Sequence, residues 1–167
     1  MINNTLSGWM LIVIMMSISG CGESPSDLQL AQHAMAIEKN DECHICGMII
    51  KGFPGPKGQL YKRGNESSLK FCSTRDMFSY LLDPEHQHAI QTVYVHDMAA
   101  SLWDTPDDAF FIDARTAWYV AGHIRKGAMG PTLASFLDKN VATSFIEQYG
   151  GELYRFEDIN QAVLLQD

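Results

Sequence analysis

Hydrophobic positions fall along the chain in three regimes. Residues 9–19 read WMLIVIMMSIS, apolar on every face, of the length of a signal-peptide core and short for crossing a bilayer. Residues 21–40 are mostly polar, broken by Pro25, and read as a tether and lead-in within which 28–38 can order as a short helix. From residue 41 onward apolar residues recur at the spacings of strands and helices. The pattern predicts a short strand over 47–50, a turn through the Pro- and Gly-rich 52–58, and a returning strand over 59–62. A further extended run, 68–72, leads into Ser73-Thr74-Arg75-Asp76, which has the form of a capping box. Met77, Phe78, Leu81 and Leu82 then share one helical face until Pro84 ends it, and 90–95 alternates as a strand does.

The second half repeats this plan. Phe71 and Ser79-Tyr80-Leu81 recur at one constant shift as Phe136 and Ser144-Phe145-Ile146. Residues 109–112 and 117–120 are strand-like, and Asp138 or Asn140 can cap a helix whose apolar face is Val141, Phe145, Ile146 and Tyr149. Gly150-Gly151 supplies a left-handed stop, and 153–156 closes as a strand. The expectation is an α+β fold of two pseudo-repeated ββαβ units, 41–100 and 101–160, with 161–167 as a C-terminal tail. Units this small bury too little apolar surface alone, so the halves should pack against each other.

Composition narrows the function. With 167 residues and 46% hydrophobic content the chain can bury a core as one domain. A net charge of −8 and no cluster of Lys or Arg exclude a nucleic-acid surface. The apolar run ends in Ile18-Ser19-Gly20-Cys21, the form of a bacterial lipoprotein cleavage box, although residues 1–8 offer only the terminal amine as positive charge. Residues 1–20 are then a signal peptide and Cys21 the lipid-bearing first residue. Several acyl chains on it would hold the protein stably on a membrane. Gly22 follows in place of the Asp that retains lipoproteins on the inner membrane, which points to the outer one. An exported protein with Cys43, Cys46 and Cys72 left over has an odd number of thiols, so at least one is free or metal-bound.

The densest chemistry lies at 41–48, where Cys43, His44, Cys46 and Met48 offer sulfur and nitrogen to one small sphere. Thiolate and thioether ligands select Cu(I) and other soft ions. Cys43 and Cys46 have three readings: copper thiolates, a structural disulfide, or a redox pair serving a periplasmic thiol-disulfide oxidoreductase. A zinc-stabilised module using Cys43, Cys46 and His44 is a further alternative. In a strand, residues 46 and 48 face the same way, so Cys46 and Met48 can present two sulfurs to one ion. His44 either binds through its imidazole or faces solvent. Met35, Met77 and Met98 are read as core fillers, whereas Met129 sits in the flexible Gly127-Ala128-Met129-Gly130 and is a candidate ligand from the second half. His123 is an outside candidate, Cys72 a buried apolar group, and His86-Gln87-His88 either a solvated loop or a secondary Zn(II) site.

From Glu42 onward the sequence resembles the NosL family, the copper-binding lipoproteins of nitrous oxide reductase assembly. The resemblance rests on an ordered series of blocks that includes Glu42-Cys43-His44-Ile45-Cys46-Gly47-Met48, Phe53-Pro54-Gly55-Pro56-Lys57-Gly58, Phe71-Cys72-Ser73-Thr74-Arg75-Asp76, Val93-Tyr94-Val95-His96-Asp97-Met98, Ile112-Asp113-Ala114-Arg115, Ala117-Trp118-Tyr119-Val120 and Lys126-Gly127-Ala128-Met129-Gly130-Pro131. It implies a periplasmic carrier that holds Cu(I) and passes it toward the apoprotein of nitrous oxide reductase beside a membrane transporter, with no enzyme activity. It also implies two related ββαβ units like those of the organomercurial lyase family. With the resemblance added, copper leads the readings of the cysteine pair. The expected ligands are Cys46, Met48 and Met129, joined by Cys43 or His44.

Overall fold

The computed structural model describes residues 33–166, and the signal segment and Cys21 lie outside that range. The first sheet is built around β1 (Gly58–Lys62), which is buried on both faces. Gly58 admits the helix above it, because a Cβ there would stand 2.4 Å from Met77 Sδ. On the other side the amide of Gln59, wholly buried, exchanges hydrogen bonds of 3.0 and 2.9 Å with the backbone of Met35. The lead-in is thereby tied to the sheet, and Ile37 is buried in the core. Met35 is itself 53% exposed, so it does not fill the core as expected. Residues 33–38 form no helix.

β1 pairs antiparallel with β2 (Ser68–Phe71) and with β3 (Ile90–His96). Between β2 and β3 run α1 (Thr74–Leu81) and the short α2 (Pro84–Gln87). Pro84 thus opens a second helix directly after the first ends, at the N1 position where its missing N–H costs nothing. β4 (Phe111–Asp113), which a division at residue 100 gives to the second unit, pairs with β3 and completes the sheet order β2-β1-β3-β4.

The second sheet has the order β8-β5-β9, from β5 (Trp118–Ala121), β8 (Ala134–Phe136) and β9 (Glu152–Arg155). A two-stranded hairpin, β6 (Lys126–Gly127) with β7 (Gly130–Pro131), projects between β5 and β8. α3 (Lys139–Tyr149) joins β8 to β9, capped by Asp138 and stopped at Gly150 with φ +75°. In both halves the first strand lies between the second and the one that follows the helix. Ala142 is the buried residue of α3, and Val141, placed on its apolar face by periodicity, is exposed.

One core joins the halves. Phe71, Met77 and Phe78 pack in the same cluster as Tyr119 and Leu133, with the Phe78 and Tyr119 rings edge to face at 5.1 Å. α4 (Gln161–Leu164) adds Val163 and Leu164 to that cluster, so the expected tail is partly core. Among the described residues no helix is long and apolar enough to cross a membrane.

Candidate metal centre

Residues 42–49 form a closed loop and not a strand. A single bridge joins Glu42 to Ile49, Cys43 N–H donates to the Met48 carbonyl at 2.8 Å, and Gly47 N–H donates to the Cys43 carbonyl at 2.8 Å. Gly47 takes φ +71°, a left-handed conformation that L side chains adopt at a cost. The turn removes the strand alternation on which a shared face for Cys46 and Met48 depended. The loop is fastened to the edge of the first sheet: His44 N–H donates to the Lys70 carbonyl at 2.9 Å, and the Lys70 ammonium pairs with Asp41.

Facing this loop is the junction of β2 and α1. Ser73 caps α1 by accepting the Asp76 N–H at 3.0 Å, and this places Cys72 just ahead of the helix and Asp76 in its first turn. The Asp76 carboxylate turns to the thiols: Cys72 Sγ donates to Oδ2 at 3.0 Å, and Cys43 Sγ lies 3.9 Å from the same oxygen. Cys46 Sγ stands 3.7 Å from Cys72 Sγ. The donor atoms of Cys43, Cys46, Cys72 and Asp76 all lie within 4.8 Å of one another. Cys43 and Cys72 are buried at 2% and 0% exposure, while Cys46 and Asp76 are half-buried, so the cluster has one accessible edge.

The charge state follows from this crowding. A hydrogen bond from the Cys72 thiol holds Cys43 well below the usual thiol range, at about 5, against the opposing effect of burial. Cys72 is pushed up, since its proton is shared with the neighbouring Cys43 sulfur, it is buried, and it faces the Asp76 carboxylate. Of the two, Cys43 is the thiol that gives up its proton more readily and Cys72 the one that keeps it. Three sulfurs and one carboxylate at this spacing fit a soft metal ion.

Of the residues expected from sequence, the fold brings Cys43 and Cys46 into the donor group. His44 is outside it, exposed, with its ring edge on Tyr80 at 5.2 Å. Met48 is half-buried in the loop, and Met129, 52% exposed, is at the tip of the β6–β7 hairpin. That hairpin leads through Thr132 and Leu133 to Thr74 at the start of α1, whose hydroxyl bonds both at 3.0 and 2.6 Å. His123 is buried between Trp103 and Phe145 and belongs to no donor group. His86 stacks on Tyr80 at 3.9 Å, and neither it nor the exposed His88 joins a donor group. Cys72 and Asp76 are the members of this donor group that sequence reasoning missed. Their signal was the spacing of four across a strand end and a first helical turn, which turns both side chains to one side.

The model of the NosL family matches residues 34–164. The copper-binding lipoprotein NosL of Stutzerimonas stutzeri is 46% identical over 160 residues, covering 95% of this chain and 82% of that protein. A protein of the same description from Achromobacter cycloclastes is 37% identical over 125 residues, covering 73% of this chain and 65% of its own length. The crystal structure of the copper chaperone NosL from Shewanella denitrificans superposes with a TM-score of 0.77 at 56% identity, covering 78% of this chain and 98% of that one.

Proposed function

Since the chain belongs to the NosL family, we propose that it carries copper as Cu(I), bound at the thiol cluster, and delivers it for assembly of the copper sites of nitrous oxide reductase. The observation that carries this reading is the convergence of Cys43, Cys46, Cys72 and Asp76 within 4.8 Å, with Cys46 at the accessible edge. Soft sulfur donors match a monovalent copper ion, and the thiolate at Cys43 supplies the charge that neutralises it. Met48 and Met129 are the thioether donors that exchange with a partner's ligands: Met48 follows Cys46 in the same loop, and Met129, 52% exposed, stands at a hairpin tip. Copper then passes from ligand to ligand and is not released into solvent. Cys21, lipidated, holds the carrier in the periplasm on a membrane, the outer in preference to the inner. There it meets a membrane transporter and the reductase apoprotein.

Competition titration against a Cu(I) chelator tests the assignment. Cys46→Ala lowers affinity about tenfold or more, a loss of about 1.4 kcal/mol, and Met129→Ala weakens it further. Unchanged affinity in the double variant overturns it. A closed set of three thiolates and one carboxylate also fits tetrahedral zinc, and this geometry favours a zinc-stabilised module as the second reading. The two part on heating metal-free protein: a carrier must stay folded when empty, whereas a structural zinc site unfolds without its ion.

A further inference from the structure

The expected partner of Cys46 in any disulfide is Cys43, its neighbour in C-x-x-C. The fold offers another. Cys46 Sγ lies 3.7 Å from Cys72 Sγ, across the gap between the 42–49 loop and the start of α1. A disulfide bond of about 2 Å needs these sulfurs to close by less than 2 Å, within reach of side-chain rotation and a small shift of the loop. The two differ in access: Cys46 is half-buried and reachable, and Cys72 is fully enclosed with its thiol on Asp76 Oδ2 at 3.0 Å. A reachable attacking thiol backed by an enclosed second thiol suits exchange with an external disulfide, whose rate depends on access to the attacking sulfur.

We propose that Cys46 and Cys72 form a reversible disulfide that closes the copper site, an inference that rests on the copper reading above. The oxidant is a disulfide of a thiol-oxidising partner in the export compartment. Cys46 loses its proton to solvent and attacks one partner sulfur as the thiolate, the partner S–S bond breaks, and its other sulfur leaves as a thiolate that takes up a proton from solvent. Cys72 then gives its proton to the Asp76 carboxylate and attacks Cys46 Sγ. The mixed disulfide breaks and the second partner sulfur leaves as a thiolate, which takes the proton from Asp76. Two thiols of the chain are oxidised, one partner disulfide is reduced to two thiols, and two electrons have moved. Cys43 and Asp76 are what remains of the cluster, and the neutral thioethers of Met48 and Met129 do not replace two lost thiolates, so Cu(I) is held far more weakly until a dithiol reductant reopens the site. Bound copper blocks the reaction because it occupies both sulfurs.

Metal-free mature protein is exposed to glutathione disulfide, free thiols are alkylated, and the links are mapped by peptide mass spectrometry. A Cys46–Cys72 link is expected in the wild type and in Cys43→Ser. In Cys72→Ala a glutathione adduct should accumulate on Cys46. Cu(I)-loaded protein should resist oxidation, and oxidised protein should bind Cu(I) about 100-fold more weakly or worse, at least the upper end of what losing one outer-shell partner costs. A Cys43–Cys46 link, no link, or undiminished copper affinity after oxidation overturns the gate alone. Reduced protein that binds no Cu(I) overturns the copper reading and the gate with it. The mapping on wild-type protein stands even if Cys72→Ala fails to fold.

Discussion

Ser73 decides where the site's second wall begins. Its hydroxyl satisfies the Asp76 N–H, and the Asp76 side chain, which a reciprocal capping box would turn back to Ser73, is given to Cys72 and Cys43. The motif was legible as a helix start, but which way its carboxylate turned was not, because that depends on thiols brought from a distant loop. Cys72 shows the same limit: its burial was legible from its position at a strand end, whereas its neighbours were not. Ser73→Ala should cost about 1 kcal/mol of stability by urea denaturation, the usual loss for a helix N-cap. It should also loosen the position of Cys72, read as faster alkylation of that thiol in native protein. Asp76→Asn keeps the cap, which uses the backbone N–H, and should leave the stability of the helix start nearly unchanged. If Ser73→Ala costs nothing, the cap does not fix this junction.

At the level of elements, alternation and helical periodicity located β1, β2, α1, β3, β5 and α3, since each buries apolar residues in one or both of two core clusters. Pairing partners were less legible. β4 carries three residues, Phe111, Ile112 and Asp113, and nothing in so short a pattern says that it adds to β3. Met48-Ile49-Ile50 has a strand's composition, yet Gly47 turns the chain so that Ile50 is enclosed and Ile49 is 42% exposed. One of the contacts that join the two halves is also polar and long-range. Thr74 Oγ1 donates to the Leu133 carbonyl at 2.6 Å, accepts the Leu133 N–H at 3.2 Å, and meets Thr132 Oγ1 at 3.0 Å. Thr74→Val leaves buried backbone groups unpaired and should cost about 1–3 kcal/mol. Thr143→Val removes an exposed bond within α3 and should stay within about 0.5 kcal/mol. Hydrogen exchange at the Leu133 amide checks the cause, since its protection should fall in the first variant and not in the second.

For the whole molecule, the buried histidines set how stability responds to acid. His123 sits at 2% exposure between Trp103 and Phe145, and burial, reinforced by the nearby Lys126 charge, pulls its pKa down to about 4. Above the ordinary histidine value near 6.5 the ring is neutral in both folded and unfolded chains and adds no pH dependence. As pH falls below that value the unfolded chain takes a proton that the folded chain refuses, so stability drops until the folded ring titrates near 4. The full effect of such a shift is about 3 kcal/mol. His96 pulls the same way: burial lowers its pKa, and the Asp108 carboxylate at 3.1 Å only partly offsets this. Asp41 and Asp108 have lowered pKa values, and the stability they supply is lost only below the ordinary carboxylate range, so the histidines act first. The alkaline side has a slope of the same sign. Burial brings Lys57 down to about 8, so the folded chain sheds this proton before the unfolded one and stability rises from there toward the ordinary lysine value. Urea titrations of reduced, metal-free protein should show a decline from about pH 6.5 toward 4. His123→Phe keeps an aromatic ring between Trp103 and Phe145 and removes the titration, so its slope in that window should shrink to the share left by His96 and by the Cys43 thiol, whose folded pKa is also lowered. An unchanged slope would mean that His123 accepts its proton without unfolding, and that the aromatic enclosure opens in the native state.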